Sequence, residues 1–231
     1  MLARKHYQVV LADPPWHFQA WSHRGEGKGA SQHYNCMTLD DICALPVADI
    51  VTDDAALFLW VVQPMLPEGL RVMEAWGFKF RTVAFVWVKM PASWSEHQLS
   101  MFETGNRVQP RLGLGYHTRS GAEQCWLGIR GNGYQREAQG IEQVLHAPLR
   151  EHSRKPDEVA ERINALVGNV PRVELFARQR RPGWDCLGNE VDRFAPQQAI
   201  LPQSESWATM WARPFDFSQE PQPPTTRSGL E

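Results

Sequence analysis

The chain has 231 residues, 42% of them hydrophobic and 22% charged, which suits a water-soluble protein with one sizeable core. A formal charge of −2 excludes a uniformly basic surface, so contact with a polyanion must use local patches. No stretch approaches the roughly 20 apolar residues of a membrane helix, no signal segment opens the chain, and Cys36, Cys43, Cys125 and Cys186 lack zinc-ligand spacing. These features predict a reduced, cytoplasmic protein with no membrane contact and no metal.

In chain order, Tyr7 to Ala12 is a short apolar run, and Ala55 to Val62 and Thr82 to Val88 are similar. Runs that are apolar on both faces predict strands of a covered, mostly parallel sheet. Between them, Thr38 to Asp41 resembles a capping box, and Leu66 to Trp76 has helical spacing that Gly77 stops. Gln124 to Gly131 and Val144 to Leu149 read as further strands. "KPDEVAERINALVG" then predicts a helix with Pro156 in its first turn, Asp157 and Glu158 at its positive end, and Val159, Ile163 and Leu166 as its buried stripe. Arg172 to Ala177 is the last clear strand. The alternation predicts one central α/β sheet flanked by crossover helices.

Two segments depart from that rhythm. Residues 90–114 read as a long lid or substrate loop within a catalytic domain of residues 1–194. Residues 195–231 read as a Pro-rich tail, whose Trp207, Trp211, Phe215 and Phe217 are of the kind that often dock, so that part of it is expected to do so. Two basic clusters stand out, one at Arg150, Arg154 and Lys155 and the other at Arg178, Arg180 and Arg181. Solvated loop charge explains either as readily as a phosphate contact does.

The stretch "ADPPW" needs its own explanation. An acidic residue at the carboxyl end of a strand in an open α/β sheet sits where ligands bind. Asp13 offers a carboxylate, Pro14 a carbonyl for which no neighbouring amide is expected to compete, Pro15 rigidity, and Trp16 a flat ring. Together they match an amino group on a planar base. Two acceptors on the exocyclic amine of adenine let its nitrogen pyramidalise toward an electrophilic methyl group. Trp16 is then expected to stack on the base, a contact worth about 1 to 3 kcal/mol.

These residues resemble the signature of the MT-A type family of adenine-N6 methyltransferases, named for the 70-kDa subunit of the mRNA adenosine enzyme. The surrounding segments agree in order: "YNCMTLDDICALPV", "ALFLWVV", "FVWVK", "GLGYHTRSGAEQCWLGIRG", "HSRKPDEV", "VELFAR" and "GWDCLGNE". The resemblance implies a Rossmann-like fold that uses S-adenosyl-L-methionine, with the catalytic strand leading as in the permuted, beta-class amino-methyltransferases. It implies that Asp13, Pro14, Pro15 and Trp16 form the catalytic motif. Phe176, Arg178, Asn189 and Glu190 are implied to surround the cofactor, with Asp13 meeting its ammonium.

Trp16, Tyr34, Lys89, His117, Arg119 and Arg154 are the expected substrate contacts. The mRNA enzyme has a lysine where this chain has Ala122, so Arg119 or Arg178 is expected to take over the cofactor carboxylate. The chain begins a few residues before the catalytic strand, so another segment is expected to cover the cofactor adenine. DNA is the expected substrate, because no zinc finger, RRM or other RNA module accompanies the domain; RNA adenosine is the alternative. A silent nucleic-acid-binding subunit is the rival of another class, and the intact acid motif argues against it. Monomer and homodimer both remain open.

Overall fold

The structure is a computed structural model and describes residues 6–17, 36–94, 110–113 and 117–194. The elements are β1 (Tyr7–Ala12), α1 (Leu39–Cys43), β2 (Val51–Val61), α2 (Leu66–Ala75), β3 (Lys79–Met90), β4 (Ala122–Arg130), β5 (Val144–Pro148), α3 (Glu158–Val167), β6 (Arg172–Leu175) and β7 (Asp185–Leu187). The strands form one seven-stranded sheet in the order β5-β3-β4-β2-β1-β6-β7. β4 alone among them runs against its two neighbours; every other pairing is parallel. The expected mostly parallel sheet is therefore present, with the β3–β4 hairpin as its exception.

The apolar runs of β1 and β2 follow from burial on both faces. Val10 and Ala12 of β1, with Leu57, Leu59 and Val61 of β2, pack toward Ile42 of α1 and Val72, Met73 and Trp76 of the α2 region. The alternate residues Val9, Leu11, Ala56, Phe58 and Trp60 pack toward Val159, Ala160, Ile163 and Val167 of α3. A period of two thus divides one apolar strand between two helical layers.

Local signals set the helix ends. Thr38 caps α1 by accepting the Asp41 N–H at 3.1 Å. α2 ends at Ala75, and Gly77 supplies a φ of 81° for the turn beyond it. Leu166 of α3 is only partly buried, and Val167 takes the position in the stripe expected for it. Pro156 precedes the helix and does not lie in its first turn, and the Asp157 side chain does not cap it. β3 is longer than its apolar core, and β7, three half-buried residues, carries no strand signal of its own. Among the described residues no helix is long and apolar enough to cross a membrane.

β1 lies between β2 and β6, which the chain reaches by opposite routes across the sheet. Ligands of open α/β sheets bind at such a reversal, beyond the carboxyl ends of the strands. Asp13 follows β1 and Phe176 follows β6. The inverted β4 begins where its parallel neighbours end, which brings Glu123 to the same edge as Lys89.

Candidate active site

The Asp-Pro-Pro-Trp stretch is a tight turn held from three directions. The Trp16 N–H donates to the Pro14 carbonyl at 2.9 Å, the i to i+2 bond of a γ-turn, and the Met37 N–H donates to the Pro15 carbonyl at 3.0 Å. The Pro14 carbonyl is therefore not free of competing amides, contrary to the expectation from sequence. Because a carbonyl oxygen has two lone pairs, one acceptor direction remains. Trp16 also differs from expectation. Its ring is 2% exposed within the core, and its indole N–H donates to the Trp60 carbonyl at 3.0 Å. In this structure it anchors the turn and presents no open face for stacking.

Asp13 heads a row of alternating charges. The Lys155 ammonium lies 2.8 Å from Asp13 Oδ2 and 3.4 Å from Glu123 Oε2, and the Lys89 ammonium lies 2.6 Å from Glu123 Oε1. Lys155 also sits over the Trp60 ring, 5.4 Å from its centroid, and Lys89 over Trp87 at 5.5 Å. Burial pushes the Asp13 carboxyl above its usual range, with Lys155 opposing and Glu123 reinforcing the rise. Burial acts on Glu123 in the same sense, but Lys155 and Lys89 together outweigh it and hold that carboxyl at about 2. The difference is a matter of count: Glu123 has two ammonium partners, whereas Asp13 shares one.

Beside this row lies an open cleft bounded by Asp13, Trp60, Lys155, Phe176, Arg178 and Phe194 among others. Phe176 adopts φ 60°, uncommon for a residue with a bulky side chain, immediately after β6. Gly188 makes that turn possible from the other side. A Cβ placed on it would lie 2.3 Å from the Ala177 oxygen and 2.7 Å from the Ala177 nitrogen. The turns after β6 and β7 thus touch backbone to backbone, joined by the Ala177 N–H to the Leu187 carbonyl at 2.9 Å.

Arg178 lines the cleft and pairs with Glu190 at 3.3 Å, which links the segment after β7 to it. Asn189 is exposed beside Glu190, outside the cleft lining. Arg154, an expected substrate contact, lines the same cleft as Asp13, Phe176 and Arg178. Lys89 reaches Asp13 only through Glu123 and Lys155. His117 and Arg119 lie exposed on the β3–β4 connection, where Arg119 Nε donates to the Gly113 carbonyl, and neither lines the cleft. Tyr34, most of the expected lid and the whole tail lie outside the described residues.

Neither basic cluster is a free patch. Arg150 and Arg181 converge on Asp157, Arg154 holds Glu151, Arg181 also holds Glu174, and Arg180 pairs with Asp192. Sequence reasoning missed Glu123, Glu174, Gln179 and Phe194 and read Lys155 as part of a basic cluster, open to loop charge or a phosphate contact. The one available signal for Lys155 was its place directly before Pro156, where the chain turns back to the carboxyl edge.

The chain matches the MT-A70 family model over residues 7–190. It belongs to the MT-A70 family. The sequence is 30% identical to Type II methyltransferase M.MunI from a Mycoplasma species, over 82% of this chain and 80% of that one. It is 31% identical to the human N(6)-adenosine-methyltransferase catalytic subunit METTL3 and 30% identical to N(6)-adenosine-methyltransferase MT-A70-like of Arabidopsis thaliana, over 80% of this chain in each case. It spans only 28% and 24% of those two proteins. In this MT-A70 chain the matched span starts at β1 and ends at Glu190, and Glu190 returns through Arg178 to the cleft that holds Asp13. The site is assembled from both ends of the match.

Proposed function

We propose that the protein transfers a methyl group from S-adenosyl-L-methionine to N6 of adenine in DNA. Methyl transfer to adenine N6 is the activity of its family; DNA as the carrier, and the roles of individual residues, are our reading. The observation that carries it is Asp13, which stands at the β1–β6 reversal in the open cleft with one carboxylate oxygen bound to Lys155. Similarity to the type II methyltransferase over four fifths of both chains supports the DNA assignment.

The donor set fits the cofactor. Asp13 suits its ammonium, Phe176 offers a wall, Arg178 and Glu190 stand at the approach for the ribose hydroxyls, and Asn189 lies beside them. When bound, the cofactor supplies a methyl group bearing partial positive charge on a good leaving group. Lys155 fixes Oδ2 of Asp13, and among the described residues no hydrogen bond reaches Oδ1. Oδ1 and the second lone pair of the Pro14 carbonyl accept the two N6 hydrogens and turn the nitrogen lone pair toward the methyl group. Asp13 Oδ1 would then take the proton that N6 gives up once it has gained the methyl group, the cofactor's sulfur having kept the electron pair of the bond it loses.

The raised Asp13 pKa, caused first by burial, makes its carboxylate a better acceptor than a solvated one. An adenine in duplex DNA must be flipped out to reach it, at a cost of a few kcal/mol. Mass spectrometry of nucleosides from matched DNA and RNA, after incubation with labelled cofactor, tests the reading. N6-methyl-deoxyadenosine is expected. Label in RNA alone would overturn the DNA assignment, and label in neither the activity.

A further inference from the structure

We propose that Arg150 is a positioning residue for methyl transfer: it brackets Lys155 and so sets where that ammonium meets Asp13. The inference rests on the catalytic reading of Asp13 above. Lys155 lies in the connection between β5 and α3, where neither a strand nor a helix fixes the main chain. Arg150 supplies a hold there. Its Nη2 donates to the Lys155 carbonyl at 2.7 Å, and its Nη1 lies 2.5 Å from Asp157 Oδ2. One planar fork thus grips the Lys155-Pro156-Asp157 step at both ends. Proline restricts the residue before it to extended conformations. With Pro156 buried and the carbonyl held, little backbone freedom remains at Lys155.

The bracket is tied in turn to the strand beside Asp13. Asp157 Oδ1 meets Arg181 Nη1 at 2.6 Å and accepts from the Gln179 amide, and Arg181 Nε lies 2.8 Å from Glu174 of β6. β6 pairs with β1 from Val9 and Arg172 to Ala12 and Leu175, and Asp13 is the next residue. A shift in the connection after β5 is therefore felt where Lys155 Nζ meets Asp13 Oδ2 at 2.8 Å. Arg150 itself does not line the cleft, so it acts through Lys155 and not on a ligand there.

Burial alone would raise the Asp157 carboxyl, but its bonds to Arg150 and Arg181 hold it at about 2. The bracket accordingly stays charged near neutral pH. A change in the pH profile then reports Asp13, which Lys155, Glu123 and Arg178 all influence. This role also gives Arg150 a use that loop charge and phosphate contact do not.

Single-turnover methylation of whichever oligonucleotide the wild type labels, by wild type, Arg150→Met, Lys155→Met and the double variant, tests this. Arg150→Met should lower the rate by about tenfold to a hundredfold, the scale of a misplacement on the order of 1 Å. Its acid limb should move upward in pH, as that of Lys155→Met does, while S-adenosylhomocysteine affinity by calorimetry stays close to that of wild type. In the double variant the Arg150 substitution should cost nothing further in rate, although its cost in melting temperature persists. Arg150→Lys, which restores a charge for Asp157 and cannot span both acceptors, should regain stability and leave the rate low. Rate losses that add in the double variant, or an Arg150→Met with the rate and acid limb of wild type, would overturn the bracket and leave the methyltransferase reading intact. A flatter salt dependence of oligonucleotide binding at unchanged rate would overturn it in favour of a phosphate contact. A wild type that labels neither DNA nor RNA removes the catalytic reading, and the bracket with it.

Discussion

The Lys155 ammonium bridges Asp13 at 2.8 Å and Glu123 at 3.4 Å, so one cation serves two carboxylates of opposite pKa tendency. This bridge makes Asp13 both available and oriented. Asp13→Asn keeps an oxygen for Lys155 but removes the charge that N6 needs. Turnover should fall by a factor on the order of 10² to 10³, the size expected for losing one preorganised electrostatic group. The melting temperature should stay within a few degrees of wild type, and single-turnover methylation beside thermal unfolding reads both.

Lys155→Met removes the main influence that holds the Asp13 pKa down, leaving burial unopposed. A carboxylate with a raised pKa is ionised only at higher pH. The acid limb of kcat against pH should therefore move upward, with activity recovering as pH rises. A limb that stayed in place would mean that Asp13 is not the group titrating.

Glu123 has its folded pKa lowered to about 2. The stability it contributes is present above its unfolded pKa and is lost as pH falls from the ordinary carboxylate range toward 2. Glu123→Gln should be less stable at neutral pH by about 3 kcal/mol, the lower end for removing one partner of a buried ion pair. The gap from wild type should close near pH 2, as followed by denaturant unfolding at several pH values.

Gly188→Ala should show that the turns after β6 and β7 form one unit. A methyl group 2.3 Å from the Ala177 oxygen cannot be accommodated without moving that backbone. The expected cost is about 1 to 3 kcal/mol of stability. Cofactor affinity should fall while oligonucleotide affinity is retained.

Arg111 and Arg119 are exposed on the β3–β4 connection, and the Arg111 N–H donates to the Lys89 carbonyl at 2.7 Å. Changing either to Gln should flatten the slope of log affinity against log salt by about 0.7 to 0.9 if it meets a phosphate. Sequence preference should be kept, because phosphate contacts position a protein and base contacts specify the site.

The place of Asp13 at the ligand edge was legible in the sequence because it follows the apolar run of β1, and a parallel sheet gathers strand ends on one edge; Phe176 and Arg178 were singled out through the family resemblance, since β6 carries Arg172 and Glu174 among its four residues. The double-faced runs of β1 and β2 likewise announced helices on both sides. Glu123 and Lys155 were not legible, because their meaning is non-local: Lys155 lies 142 residues from the carboxylate it serves. A single charge before a helix reads as solvated, and a Glu at the start of a strand reads as an outward residue. The buried Trp16 ring and the occupied Pro14 carbonyl were misread because local composition does not reveal which way a turn folds back.

The same separation orders the protein's synthesis. Asp13 is made before its floor of β2 and β4, and the ammonium that steadies it is added only after β5. A nascent chain ending before residue 155 has laid down most of the strands of its sheet and cannot yet place a counter-charge beside Asp13. Maturation of the reactive centre thereby waits for the segment after β5, and translation products that stop before it lack the group that orients their acid.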